Sequence, residues 1–170
     1  MLTVTDCAPA DYADVAALWN AQTSTANSCW YQATTIEASL VPALLATSYA
    51  IAVAREDGVA VGFGMWSPLE DPPRLIALAA ADEAVYYRLM DAYCVWAQGR
   101  GASSGRAQVD NRATIERARM DALGSIIYAA IGYEPLPPGG EPQTRVPTLF
   151  EASSDLQALR AAIAAQLENL

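Results

Sequence analysis

The sequence predicts an α/β (α+β) protein built on one mixed β-sheet flanked by helices, with an added helix at its C-terminal end. Three observations carry this. Residues 49–68 hold two apolar β-type runs around Asp57-Gly58, a strong hairpin signal. Over residues 82–98 the apolar spacing changes to that of a helix, through Val85, Tyr86, Leu89, Met90, Tyr93, Trp96 and Ala97. Short apolar runs at 74–79 and 106–109 stand on either side of that helix, the arrangement of two strands joined by a helical crossover.

At 170 residues the chain can bury one core. We expect one domain over residues 1–152, with a C-terminal helix over 153–170 packed on it or extending it. With 53% hydrophobic and 17% charged residues the composition is globular. No apolar run approaches the roughly 18–20 residues of a bilayer span, and the start of the chain lacks a basic stretch followed by a hydrophobic one. The expectation is a cytoplasmic protein without a membrane partner.

All ten basic residues are arginine, there is no lysine or histidine, and the formal net charge is −9. Such an acidic protein lacks the clustered cations that displace counterions from nucleic acid. Without histidine, the commonest general base and the commonest zinc ligand are both missing. Cys7, Cys29 and Cys94 follow no metal-ligand spacing, so free thiols and no metal are expected.

Leu2–Thr5 is a short first strand. Pro9, with Asp11 and Asp14 after it, opens a helix that would bury Tyr12, Val15, Leu18 and Trp19. Residues 20–32 are polar with Trp30 and Tyr31 near their end, which suits a ligand-facing loop and a lid over the core equally well. Thr34-Thr35-Ile36-Glu37 has capping-box spacing for a second helix, which Pro42 should kink or split. The hairpin follows, then prolines 68, 72 and 73, then a strand apolar enough to be central. Asp82 is placed to cap the next helix and Gly99 to stop it.

After the strand at 106–109, Asn111 or Thr114 can cap a long helix whose stripe is Ile115, Ala118, Ala122, Leu123, Ile126, Ile127, Ala130 and Ile131. Gly132 suits the left-handed position that ends it. A strand near Val146–Phe150 follows. Ser153, Ser154 or Asp155 then caps a final helix with the stripe Leu156, Leu159, Ile163, Leu167 and Leu170. That stripe suits a cover over the core, and also a groove on a partner or a second copy.

The exit Tyr128-Ala129-Ala130-Ile131-Gly132-Tyr133 resembles the Leu-Tyr-x-x-Leu-Gly-Phe turn of the GNAT N-acetyltransferase superfamily. The element order over about residues 1–151 resembles the family too. Family members transfer an acyl group from coenzyme A to an amine, and their fourth and fifth strands splay apart around the pantetheine arm. The resemblance implies acetyl-CoA or another acyl-CoA as cofactor, held along Leu78, Ala79 and Ala80. It implies an amine-bearing small molecule or protein as acceptor, for which Trp30 and Tyr31 are candidates. Tyr128 takes the place of the family's general acid, a hydroxyl that can yield a proton to the departing thiolate. Packing in the core is its other reading. Glu70, Asp71 and Asp110 lie near strand ends where a base could act.

One stretch departs from the family. Its glycine-rich loop, whose bare amides hold the pyrophosphate, corresponds here to Ala79-Ala80-Ala81-Asp82-Glu83-Ala84-Val85, with no glycine, no cation and two carboxylates. Gln98-Gly99-Arg100-Gly101 resembles the loop in letters but follows the helix instead of preceding it. Two functions stay open: a degenerate GNAT-type acyltransferase, and a non-catalytic structural or binding component on the same fold, as in phage-encoded, virion-associated proteins.

Overall fold

The computed structural model describes residues 1–22, 35–47, 49–110, 113–133 and 147–170. Its elements run β1 (Leu2–Asp6), α1 (Tyr12–Gln22, after a 3-10 turn at Pro9–Asp11), α2 (Val41–Thr47), β2 (Ala50–Glu56), β3 (Val59–Ser67), β4 (Arg74–Ala80), α3 (Glu83–Gly99), β5 (Ser104–Asp110), α4 (Thr114–Ala122), β6 (Ile127–Tyr133), β7 (Pro147–Asp155) and α5 (Leu156–Glu168). One seven-stranded sheet has the order β1-β2-β3-β4-β5-β7-β6. Among the described residues only β4 and β5 pair in parallel; every other neighbour is antiparallel.

The hairpin turns on Asp57 and Gly58, with φ of 50° and 87°, the pair of positive angles that a type I′ turn needs. Asp82 caps α3 through its side chain, which accepts from the Val85 N–H at 2.9 Å, and Asp155 caps α5 likewise at 2.8 Å. Helix α3 lies against β3 and β4, close enough that a Cβ on Gly62 would stand 2.6 Å from the Ala79 carbonyl and from Val85 Cγ1. Sheet residues facing α3, α4 and α5 form the larger core, with Trp66, Leu75, Leu78, Tyr86, Leu89 and Val109. Val15, Trp19, Val53, Phe63 and Ala77 form the core beneath α1 and α2.

Several expectations need correction. Helix α4 stops at Ala122, and Gly124 (φ 66°), not Gly132, takes the left-handed position behind it. Residues 127–133 are β6, hydrogen-bonded to β7, so the supposed last helical turns are a strand. Ile126, Ile127, Tyr128 and Ile131 are strand-favouring residues, and pairing with β7 satisfies their backbone.

The second helix does not open at the Thr34–Glu37 box. Glu37 instead precedes a 3-10 turn at Ala38–Leu40, and Pro42 sits in the first turn of α2, where its missing N–H costs nothing. Helix α3 runs through Gly99, and Gly101 (φ 85°) follows its C-cap. The strand expected near Val146–Phe150 extends to Asp155, so α5 starts at Leu156. Its Leu156, Leu159 and Ile163 lie inside the larger core, which turns the stripe inward.

Candidate functional site

The site is built where β4 and β5 part. Both strands have seven residues, yet their register holds only Arg74 opposite Arg106 and Leu75 opposite Ala107. Past those pairs the strands diverge; α3 follows β4 and α4 follows β5 in the chain.

At the paired end four charged side chains form a closed ring. Glu70 meets Arg74 at 3.0 Å and Arg106 at 3.1 Å, while Glu151 of β7 meets Arg74 at 3.3 Å and Arg106 at 3.7 Å. The ring ties β4, β5 and β7 together on the face opposite α3. Beside it a cleft of about 240 Å³ is lined by Tyr49, Glu70, Arg74, Leu75, Ile76 and Gln108. Charge alternation along Arg106, Gln108 and Glu151 is visible only once β7 is known to lie against β5.

At the diverging end the protein fills its own opening. Leu78, Ala79 and Ala80, the expected cofactor positions, are 2%, 1% and 3% exposed. Tyr86 in the first turn of α3 donates a 2.7 Å hydrogen bond to Glu116 in the first turn of α4, joining the two strand-to-helix junctions with a buried polar contact. Burial pushes the Glu116 carboxyl up to about 8, although the Tyr86 hydrogen bond and the nearby Arg119 charge pull the other way. Glu116 falls on the face of α4 that also buries Met120 and Leu123; an acid at that spacing was the available signal, hidden by a stripe read one position out of phase.

The start of α3 is equally closed. The Ala81 N–H donates to the Val61 carbonyl at 3.0 Å, the Val85 N–H is taken by Asp82, and Glu83 stands in the first turn. A carboxylate at a helix N-terminus stabilises the helix and repels a second anion. Asp82 and Glu83 thus place two carboxylates at this helix start.

Tyr128 lies on β6, which β7 separates from β5. Two strand spacings place it about 10 Å from β5. Its ring is covered by the Arg117 guanidinium, 3.7 Å from the ring centroid, and packs edge-on against Phe150. Burial raises its pKa above the ordinary tyrosine range, and Asp121 nearby adds to this. The structure thus does not bring Tyr128 to the β4–β5 opening. The helix turn at Leu123-Gly124 aligns the pattern Leu-Tyr-x-x-Leu-Gly-Phe with Arg119-Met120-Asp121-Ala122-Leu123-Gly124-Ser125 instead. Met120, in the tyrosine position, lines a small cavity of about 20 Å³ with Leu75, Arg106 and Ala107 at the base of the splay.

Trp30 and Tyr31 lie outside the described residues. Of the candidate bases, Glu70 belongs to the charge ring, Asp71 is exposed and Asp110 is buried. Among the described residues no cluster of three or more histidine, cysteine or acidic side chains could hold a metal, and no helix is long and apolar enough to cross a membrane.

No protein-family model matches the sequence, and no curated protein matches it. Solved structures do resemble it. The GCN5-related N-acetyltransferase from Kribbella flavida has a TM-score of 0.65 at 18% identity over 91% of this chain and 97% of that one. The ribosomal-protein-S18-alanine N-acetyltransferase from Escherichia coli gives 0.64 at 12% identity over 92% and 94%. The putative acetyltransferase yncA from Salmonella typhimurium, determined with its cofactor acetyl-CoA, gives 0.63 at 14% identity over 91% and 94%. The chain therefore has the GNAT fold, with the splayed strands and their two following helices in the expected order.

Proposed function

We propose that this protein is a GNAT-fold binding component that does not take up acetyl-CoA in the way the fold implies. The observation that carries this reading is the carboxylate of Asp82 capping α3, on the amide that a pyrophosphate would need. The buried Tyr86–Glu116 contact, closing the wide end of the splay, supports it. One opening left at the paired end of the splay is the cleft beside Glu70, Arg74 and Gln108, which has the size for a small ligand or one side chain of a protein partner.

Calorimetric titration with coenzyme A and acetyl-CoA tests the reading. No heat of binding is expected for the parent chain. Micromolar binding by the parent would overturn it; binding only by the Asp82→Gly/Glu83→Gly double variant would support it and identify the blocking groups.

One observation favours a second reading, in which acyl transfer is retained with an unusual donor: β4 and β5 still diverge after two paired residues. Leu78, Ala79 and Ala80 would then line the acyl carrier and Trp30 and Tyr31 the amine acceptor, and Tyr128 would supply the proton only to a group that reached past β7. Turnover of an acyl donor that falls in Tyr128→Phe while the fold is kept would favour this reading. Unchanged turnover would remove Tyr128 from it.

A further inference from the structure

Strand β1 ends the sheet, and among the described residues no strand lies on its outer side. The Cys7 N–H donates to the Ile51 carbonyl at 2.8 Å, one step in register beyond Asp6 opposite Ala52. Antiparallel bonding alternates along a strand, so Thr3 and Thr5 bond to β2 while Leu2, Val4 and Asp6 turn their main-chain groups outward. The side chains of those three share the face toward α3, where Leu2 and Val4 pack against the larger core. Unpaired main-chain groups at an edge are a template for a further strand, and this edge has no proline or lysine to guard it.

Between β1 and α3 a cleft of about 520 Å³ is lined by Leu2, Val4, Asp6, Arg88, Ala92 and Val95 among others. Val95, an apolar side chain on its wall, is 48% exposed. Two opposite charges stand at this cleft without meeting. Asp6 and Arg88 are both exposed, and among the described residues neither makes an ion pair within 4.0 Å. Helix α3 runs in the direction of β1, with Val85 beside Gly62 and Trp96 beside Trp66. Through β2, Val4 is level with Gly62 and Asp6 with Gly64. Helical side chains lean toward the helix N-terminus, which puts Arg88 at the Leu2 end of the cleft and Asp6 at the other.

We propose that β1 is the contact between two copies of this chain, paired antiparallel about a two-fold axis at Val4. The two seven-stranded sheets then join into one. In that register Val4 bonds to Val4 of the second copy, and Leu2 stands opposite Asp6 of the second copy. The same axis carries Asp6 to the end of the second cleft where Arg88 stands, and it does so twice. An edge charge that would guard against an unrelated strand becomes half of an ion pair with this one. A two-fold contact requires a surface that complements itself, and the unpaired Asp6 and Arg88 meet that requirement. This goes beyond the functional reading above, since it holds whether or not coenzyme A binds.

Sedimentation velocity of the full chain across the micromolar range tests the contact. Physiological ionic strength screens the repulsion between two chains of charge −9. A concentration-dependent dimer is expected. Asp6→Arg and Arg88→Asp should each weaken it by about tenfold or more, because each sets two pairs of like charges together. Mixing the two variants should restore a dimer, since one chain then carries both cations and the other both anions. Restoration by mixing also shows that both variants are folded. Val4→Pro removes an outward N–H while leaving the bonds to β2, and should give a folded monomer. A parent that stays monomeric throughout would overturn the contact. So would a dimer that neither charge reversal weakens, or weakened variants that mixing does not restore.

Discussion

Tyr86 and Glu116 are thirty residues apart in sequence and 2.7 Å apart in space, each in the first turn of the helix that leaves one of the two splayed strands. The contact is completely buried, so the protonation of Glu116 is coupled to folding. In the unfolded chain its carboxyl titrates near 4.5; in the folded state it titrates at about 8.

Between those values the folded protein holds a proton that the unfolded chain has released. Stability should therefore fall as pH rises from about 4.5 to about 8, by up to about 1.4 kcal/mol per pH unit from this group. Glu116→Gln keeps an oxygen for the Tyr86 hydroxyl and removes the titration. Urea midpoints at pH 5 and pH 8 should converge in the variant, and an unchanged gap would place the pH dependence elsewhere.

Asp82 caps α3 by accepting from the Val85 N–H at 2.9 Å. Asp82→Ala should cost about 1 kcal/mol, the usual loss for an N-cap, and Asp82→Asn clearly less, since its amide oxygen can accept the same bond. Chemical denaturation of the two variants checks this. Equal losses would mean that charge, not the cap bond, is what α3 gains from the residue.

Gly62 permits α3 to approach the sheet. With a Cβ it would meet the Ala79 carbonyl, which is backbone and cannot swing aside, at 2.6 Å. Gly62→Ala should destabilise by about 1–3 kcal/mol, the range for overpacking a filled interior. A thermal midpoint matching the parent would show that α3 can shift outward at little cost.

The ring of Glu70, Arg74, Glu151 and Arg106 should behave as a unit although no single pair is deeply buried. Glu70→Gln and Glu151→Gln each remove one acid flanked by both arginines. Each alone should cost no more than about 1 kcal/mol, and the double variant should depart from additivity by about 0.5 kcal/mol or more. Strict additivity would reduce the ring to independent ion pairs.

Local chemistry determined most of the architecture. Asp57-Gly58 dictates its turn by positive φ, Asp82 and Asp155 cap the helices after them, and apolar periodicity marks α1, α3 and α5. Among the described residues, the order of the five helices and of every strand but β6 follows from such signals, because each depends on residues within a few positions of one another.

Tertiary structure decided what happens after Ala122. Ile126–Ile131 satisfies helical spacing, and only the presence of β7, with its unpaired backbone alongside, makes strand pairing the better solution. The same non-local step moves Tyr128 behind β7 and puts Met120 beneath the splay. It also brings Glu151 to the two arginines. Whether the splay is open was not legible in the sequence either, since it depends on a tyrosine and a glutamate thirty residues apart meeting in a space that excludes water. Hydrogen bonds to near neighbours are written in the sequence; burial and long-range pairing, which set Glu116's proton, exist only when the helices are in place.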